Sequence, residues 1–218
     1  NDILNDNINI DYKIDMLLSN DSNVAISKSI GIEIISLSDY FANNKFDGLI
    51  ILGDRYEILS TALVATIFRI PIIHFCGGDT TEGSYDDDIR NAITQLSNIH
   101  FVTCDESKKK VESLGKDKVY VVGNPGLEYL LDFKPDIKQY NNYIMFVYHP
   151  ETKNLDNINL DLKNIEKIFN YILNRGINLV VIGSNADNEN YKIKELCNKF
   201  KSKIYFYESV NRQNYLSL

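Results

Sequence analysis

The apolar positions of this chain gather into short blocks of two alternating kinds. "DGLIILG" (47–53) is a continuous apolar run closed by glycine, the pattern of a strand buried on both faces. "DRYEILSTALVATIFR" (54–69) follows, with Ile58, Leu59, Ala62, Leu63, Ala65 and Ile67 marking a mostly buried helix that Asp54 can cap. "IPIIHF" (70–75) returns to a strand. A helix from about Asp87 to Ser97 then carries Ile89, Ala92, Ile93 and Leu96 at helical spacing. "IHFVTC" (99–104) reads as a strand, "ESKKKVESLG" as a helix ending at Gly115, "KVYVVG" (118–123) as a strand, and "NPGLEYLL" as the opening of another helix. Upstream, Val24, Ile26, Ile30, Ile34, Leu37 and Phe41 predict one long helix over about 23–43.

The alternation breaks at "DFKPDIKQYNN" (132–142), where Pro, Asp and Asn mark an interdomain linker. It resumes with a strand at 143–149, a helix over about 158–174, a strand at 177–184, a helix over about 188–200, a strand at 203–208 and a helix start in "NRQNYLSL". Strand–helix alternation with connections this short predicts parallel sheets joined by right-handed crossovers. The expected fold class is α/β with two Rossmann-like domains, 1–131 and 143–218, the second sheet reading as cut short. The first residue is Asn1 rather than Met, which reads as a missing start.

Composition narrows the function. At 44% hydrophobic and 24% charged over 218 residues, the chain is ordinary globular protein with room for one large or two small cores. A net charge of −7 argues against nucleic acid or an anionic membrane as the main partner, while leaving room for a local basic pocket around a phosphate. Cys76, Cys104 and Cys197 lie far apart, match no zinc spacing and make a poor disulfide framework, so a cytoplasmic, reducing compartment is the simpler expectation. No stretch approaches a membrane span and no signal peptide is visible. Neither GxGxxG nor GxxxxGK[ST] occurs, which disfavours dinucleotide and P-loop binding. No cofactor or metal is expected.

Ligands of open parallel sheets bind beyond the carboxyl ends of the strands. Five features fall at such ends: Gly53-Asp54-Arg55, Cys76-Gly77-Gly78-Asp79, Gly123-Asn124-Pro125, His149-Pro150 and Ser184-Asn185. The densest chemistry is "HFCGGDTTEGSYDDDIR" (74–90), with carboxylates at Asp79, Glu82, Asp86, Asp87 and Asp88. An EF-hand counted from Asp79 would need Gly at Ser84 and Glu at Arg90, so calcium is excluded. Some of these acids suit a helix start, where the macrodipole favours them and Ser84 with Asp87 resembles a capping box. Asp86 and Asp87 stand four and three residues before Arg90, so either can pair with it on one helix face. Asp79 and Glu82 are not explained by capping, and acid–base use of part of this loop stays open beside the surface reading. Cys76 has no base placed near it and reads as an inert, partly buried thiol. Asn185 and Asp187 are also ordinary turn formers.

"GDRYE", "GGDTTEGSYDDDIRNAITQLSNIHFV", "VGNPGLE" and "YHPET", in this order and at these separations, resemble the UDP-N-acetylglucosamine 2-epimerase family. "DDDIRNAIT" followed by "HPET" is closer to its hydrolysing branch, which feeds sialic-acid-type sugar synthesis. The resemblance implies a two-domain fold similar to the GT-B glycosyltransferases, a homodimer or homotetramer, and a UDP-sugar substrate. It implies conversion of UDP-GlcNAc and water to N-acetylmannosamine and UDP through a glycal. By position, Asp54 matches a catalytic acid, Asp86 a catalytic carboxylate and Arg90 an active-site arginine. Arg55 matches a UDP contact, His149 a diphosphate contact, Asn185 a nucleotide contact and Val210 a uracil contact. Cys76 stands where several relatives place a catalytic Glu, and Asp79 where they commonly have Glu, so Asp79 or Glu82 is the candidate for the displaced carboxylate. The opening strand with its Gly-Thr-Arg-type loop and the later Asn-Ser-Ser-Gly segment are absent, so both ends read as truncated. Alternatives are an epimerase of a related UDP-diacetamido sugar, a GT-B glycosyltransferase, or a catalytically silent UDP-sugar-binding fragment.

Overall fold

The computed structural model describes every residue except 1, 19–21, 83, 137–139, 151–156 and 184–189. The chain folds as two compact units: Tyr12–Asp132, and Phe133–Leu218 together with Asn1–Asp11. The expected 1–131 unit thus lacks its first eleven residues, which join the other unit, where Arg212 donates to Asp6 at 2.8 Å.

The unit Tyr12–Asp132 is built on a parallel sheet of β1 (Leu49–Leu52), β2 (Ile72–Phe75), β3 (Ile99–Val102) and β4 (Val119–Val121), in that spatial order. Between them run α3 (Tyr56–Ile67), α4 (Asp86–Leu96) and α5 (Asp105–Ser113), preceded by α2 (Asn23–Asn43) and followed by α6 (Pro125–Leu131), while α1 (Asp2–Asn5) belongs to the other unit. Strands laid down in sequence order by same-handed crossovers place their connecting helices on one face. α3 accordingly lies on β1 and β2, α4 on β2, and α5 on β3 and β4, while α2 covers α3. Ile51, Ile72, Val102 and Val119 point into this layer and are buried, with Leu37, Phe41, Ala62, Val64, Ala65, Ile70 and Ile93 from the helices and turns.

On the other sheet face, among the described residues of this chain, Ile50 and Leu52 are 68% and 58% exposed, so here β1 has one buried face where its apolar run predicts two. Apolar character on both sides of a strand does not reveal which side the helices take. A row of rings, Phe75, Phe101 and Tyr120, crosses this face with centroids 4.9 and 5.7 Å apart.

The second unit repeats the scheme with β5 (Tyr143–Val147), β6 (Asn178–Ile182) and β7 (Tyr205–Tyr207), parallel and in that order, and with α7 (Ile158–Leu173), α8 (Asn190–Lys199) and α9 (Arg212–Ser217). β6, in the middle, is buried from Leu179 to Ile182. Phe169 of α7 stands edge-on to Phe146 and Phe200 and is fully buried, a side chain whose burial contributes about 2–3 kcal/mol. The α/β class with two parallel-sheet units is therefore the one expected.

Candidate active site

Parallel strands bring their carboxyl ends to one edge of each sheet, so residues far apart in sequence become neighbours there. In the first unit β1 leads into Gly53-Asp54, β2 into Cys76 and β3 into Thr103. Gly53 N–H donates to the Phe75 carbonyl, and Cys76 N–H to the Phe101 carbonyl, so the ladder continues into these turns.

Arg90 organises the edge. It lies on the first turns of α4 and is only 5% exposed. Its Nη2 donates to Asp54 Oδ2 and, at 2.9 Å, to Thr81 Oγ1; its Nη1 donates to Asp87 Oδ1 at 3.0 Å and to the Asp79 carbonyl at 2.6 Å. Burial pulls its pKa down, but a guanidinium facing two carboxylates keeps its charge. Asp54 is thus not the cap of α3: the N-cap is Arg55, without a side-chain capping bond, and the Asp54 carboxylate turns to the cation instead. Of the two acids spaced to meet Arg90, Asp87 makes the i,i+3 pair.

α4 begins at Asp86, one residue before its predicted start, with Asp86, Asp87 and Asp88 in its first turn as the macrodipole favours. Ser84 is not the N-cap of α4, which is Tyr85, and the Asp86 N–H donates to Ser84 Oγ at 3.1 Å. Asp86 is half-buried, while Glu82 lies exposed in the loop.

Asp79 is held elsewhere. Thr103 Oγ1 and Ser107 Oγ donate to the same oxygen, Asp79 Oδ1, at 2.5 and 2.6 Å. Lys110 Nζ reaches the Asp79 carbonyl at 3.3 Å, Thr80 Oγ1 at 3.0 Å and both oxygens of Asp87 at 3.4 Å. The two glycines before Asp79 serve close packing. A Cβ on Gly77 would lie 3.0 Å from His74 Nδ1, and one on Gly78, at φ +79°, would overlap the Ser107 carbonyl.

Under this floor sits His74, fully buried on β2. Its Nε2 lies 2.9 Å from the Gly53 carbonyl and its Nδ1 3.4 Å from Thr94 Oγ1, one turn beyond Arg90. Burial lowers its pKa, so the ring is neutral, with Nε2–H donating to Gly53 and Nδ1 free to accept. Cys76 adopts φ +63°, and burial, then the Asp79 charge, push its thiol pKa up. That favours the inert thiol over a nucleophile.

Arg55 points its Nε at Glu57 Oε1, 3.0 Å away, and lies 5.4 Å from the Tyr56 ring centroid. In the second unit His149 is exposed just past β5, and Val210 is half-buried between β7 and α9. Asn185 and Asp187 lie outside the described residues. The structure thus brings Asp54, Asp79, Asp86 and Arg90 to one edge, together with four residues that sequence reasoning passed over: His74, Thr103, Ser107 and Lys110. The available signal for the last three was their spacing, i, i+4 and i+7, which puts polar groups on one face beside the loop. Among the described residues no group of three or more His, Cys, Asp or Glu side chains is arranged to hold a metal ion, and no helix is long and apolar enough to cross a membrane.

Comparison with known proteins gives the family and the fold. The chain is 34% identical to the GDP/UDP-N,N'-diacetylbacillosamine 2-epimerase (hydrolyzing) of Campylobacter jejuni and 32% identical to the polysialic acid biosynthesis protein P7 of Escherichia coli. The matches cover 96% and 98% of this chain but 58% of each relative, so the chain spans little more than half their length. Among solved structures, UDP-GlcNAc 2-epimerase from Methanocaldococcus jannaschii, in complex with UDP-GlcNAc and UDP, superposes with a TM-score of 0.77 at 19% identity, over 98% of this chain and 62% of that one. A Listeria monocytogenes structure described as a UDP-N-acetylglucosamine 2-epimerase reaches 0.79 at 15% identity, covering 99% of this chain and 58% of that one. These two share the fold. The family model for UDP-N-acetylglucosamine 2-epimerase matches residues 1–218, and with it the chain belongs to the UDP-N-acetylglucosamine 2-epimerase family.

Proposed function

We propose that this chain carries the carboxylate apparatus of a hydrolysing UDP-GlcNAc 2-epimerase. In the first stage the C2 proton of the sugar goes to a base and the C1–O bond to UDP breaks, leaving a glycal and UDP. In the second, water oxygen bonds to C1 and a proton returns to C2 from the opposite face, giving N-acetylmannosamine. Inversion at C2 requires an acid and a base on opposite sides of the sugar, and a leaving diphosphate requires cations and hydrogen-bond donors.

The observation that carries the reading is the ion pair between Asp54, just past the carboxyl end of β1, and Arg90, 36 residues on in the first turns of α4. It ties the segment bearing Asp54 to the helix that opens with Asp86, the two carboxylates assigned to the sugar. Glu82 is the further exposed carboxylate of the loop. Arg55, His149, Asn185 and Val210 are assigned to the UDP moiety. Assembly as a homodimer or homotetramer belongs to the same proposal, and light scattering on the full-length protein tests it.

Incubating the full-length protein with UDP-GlcNAc in deuterated water tests the chemistry. Deuterium at C2 of the released sugar is expected; its absence sinks the epimerase mechanism and favours a glycosyltransferase, which leaves C2 untouched. Asp86→Asn is expected to lower turnover by about 10²-fold or more while UDP affinity stays within about threefold. His149→Ala is expected to weaken UDP binding about tenfold. Equal loss of UDP binding in both variants would reduce the loop to a structural role.

The relative named for diacetylbacillosamine favours a second reading, a UDP-diacetamido sugar as substrate. Comparing kcat/KM for the two UDP-sugars decides between them.

A further inference from the structure

We infer that the polar edge formed by Thr103 in the β3–α5 turn and by Ser107 and Lys110 of α5 is the seat on which the acidic loop is held, and that Asp79 is the loop's anchor. These four act as positioning residues. The inference rests on the function proposed above and assigns Asp79 a task other than proton transfer.

Three observations converge. First, Thr103 and Ser107 both give their hydroxyl hydrogens to Asp79 Oδ1, at 2.5 and 2.6 Å. Bonds from two hydroxyls to one carboxylate oxygen are charge-assisted and fix the side chain toward α5. Second, Arg90, which grips the carboxylates of Asp54 and Asp87, meets Asp79 at its main-chain oxygen, and Lys110 donates to that same oxygen. Third, Gly78 lies so close to the Ser107 carbonyl that only a residue without Cβ fits there, so the loop's entry is seated on the same turn of α5.

At the far end of the loop, Asp87 is shared between Arg90 and Lys110. The segment leading to Asp86 is therefore clamped at both ends. The seat fixes where Asp86 stands relative to Asp54, and displacement of a reacting group by about 1 Å can cost about 10²-fold in rate.

The anchoring task uses Asp79 only as an acceptor, which an amide oxygen can replace; proton transfer needs the carboxylate itself. In the full-length protein, Asp79→Ala is expected to lower kcat about tenfold, with KM for UDP-GlcNAc within about threefold and Tm lowered by about a few degrees. Asp79→Asn is expected to recover most of that loss and to keep the wild-type pH–rate profile. Amide exchange at Thr80–Glu82 should accelerate in Asp79→Ala, Ser107→Ala and Lys110→Met, and stay slow in Asp79→Asn.

The inference is overturned if Asp79→Asn is as inactive as Asp79→Ala with a displaced acid limb, because Asp79 is then catalytic. It is also overturned if Asp79→Ala keeps full activity and native exchange. Should Asp79→Ala not fold, Ser107→Ala and Lys110→Met carry the test, and native exchange in both overturns it. Wild-type protein that turns over no UDP-sugar refutes the functional reading alone; the exchange pattern still decides the anchor.

Discussion

Arg90 shows why a charge counted in sequence says little about its task. Its fork reaches two carboxylates, a carbonyl and a hydroxyl on three segments while nearly sealed from solvent. A lysine presents one ammonium on a flexible stem and cannot satisfy that set. Arg90→Lys is therefore expected to cost about 2–3 kcal/mol in urea unfolding of the first unit, because buried carboxylates lose charge-assisted partners. Tyrosine fluorescence can follow the transition, since the chain has 14 Tyr and no Trp. Of these contacts only the pair with Asp87 was legible beforehand, because its i,i+3 spacing is local. Asp54 looked like a helix cap, since a short polar side chain before a helix usually is one. Its partner lies a whole βα unit away, and no periodicity carries that information. The same holds for Asp79, whose partners Thr103 and Ser107 lie 24 and 28 residues on.

Elements were more legible than contacts, and their errors have a common cause. The helix over 23–43 was read from its apolar residues, yet Val24 is 63% exposed and the buried line runs Ala25, Ser29, Glu33, Leu37 and Phe41. Two polar residues sit in that line because each has a partner, that of Glu33 on α3 and that of Ser29 in the segment before α2. Ser60 Oγ and Thr61 Oγ1 donate to the two oxygens of Glu33, and Ser29 Oγ accepts from the Leu18 N–H. A hydrophobic count cannot score such a side chain as interior. Burial raises the Glu33 pKa despite those hydroxyls, so the fold disfavours its ionised form. The cost is present once the pH exceeds the ordinary carboxylate range and vanishes below it, where the group is protonated in both states. Glu33→Gln keeps the shape and an acceptor for the hydroxyls. It is expected to raise stability at pH 8 and to confer no advantage near pH 4, as paired urea titrations would show. A variant equally stable to wild type at both pH values would mean that Glu33 carries no such penalty.

At the scale of the molecule, the two units share a plan but differ in what they enclose. The second unit has an apolar and aromatic core around Phe169, whereas the first buries two histidines side by side in register on β2 and β3. Their rings stand edge-on with centroids 6.4 Å apart. Burial, then the neighbouring His74 and Lys116, lower the His100 pKa to about 4, and burial lowers that of His74 as well. Neither ring nitrogen of His100 meets a partner at good hydrogen-bond geometry among the described residues, and the Ser97 main chain only partly offsets the cost of burial. A base whose folded pKa is depressed supports the fold fully above its unfolded pKa, and that support is lost as pH falls from about 6.5 toward 4. For His100 alone the loss amounts to roughly 3 kcal/mol, a large part of the stability of a domain this size. Carboxylates add their own acid dependence in both units, so the difference between wild type and His100→Leu isolates the imidazole. Leucine matches the ring in volume and brings no polar atom to bury. The variant is expected to be at least as stable as wild type at pH 7, and to exceed it increasingly toward pH 4.5. Amide exchange read by element is the decisive measurement. The gain should appear in β2 and β3 and be absent from β5, β6 and β7. A uniform shift across both units, or an unchanged pH slope in the first, would show that the buried pair does not govern its acid limit.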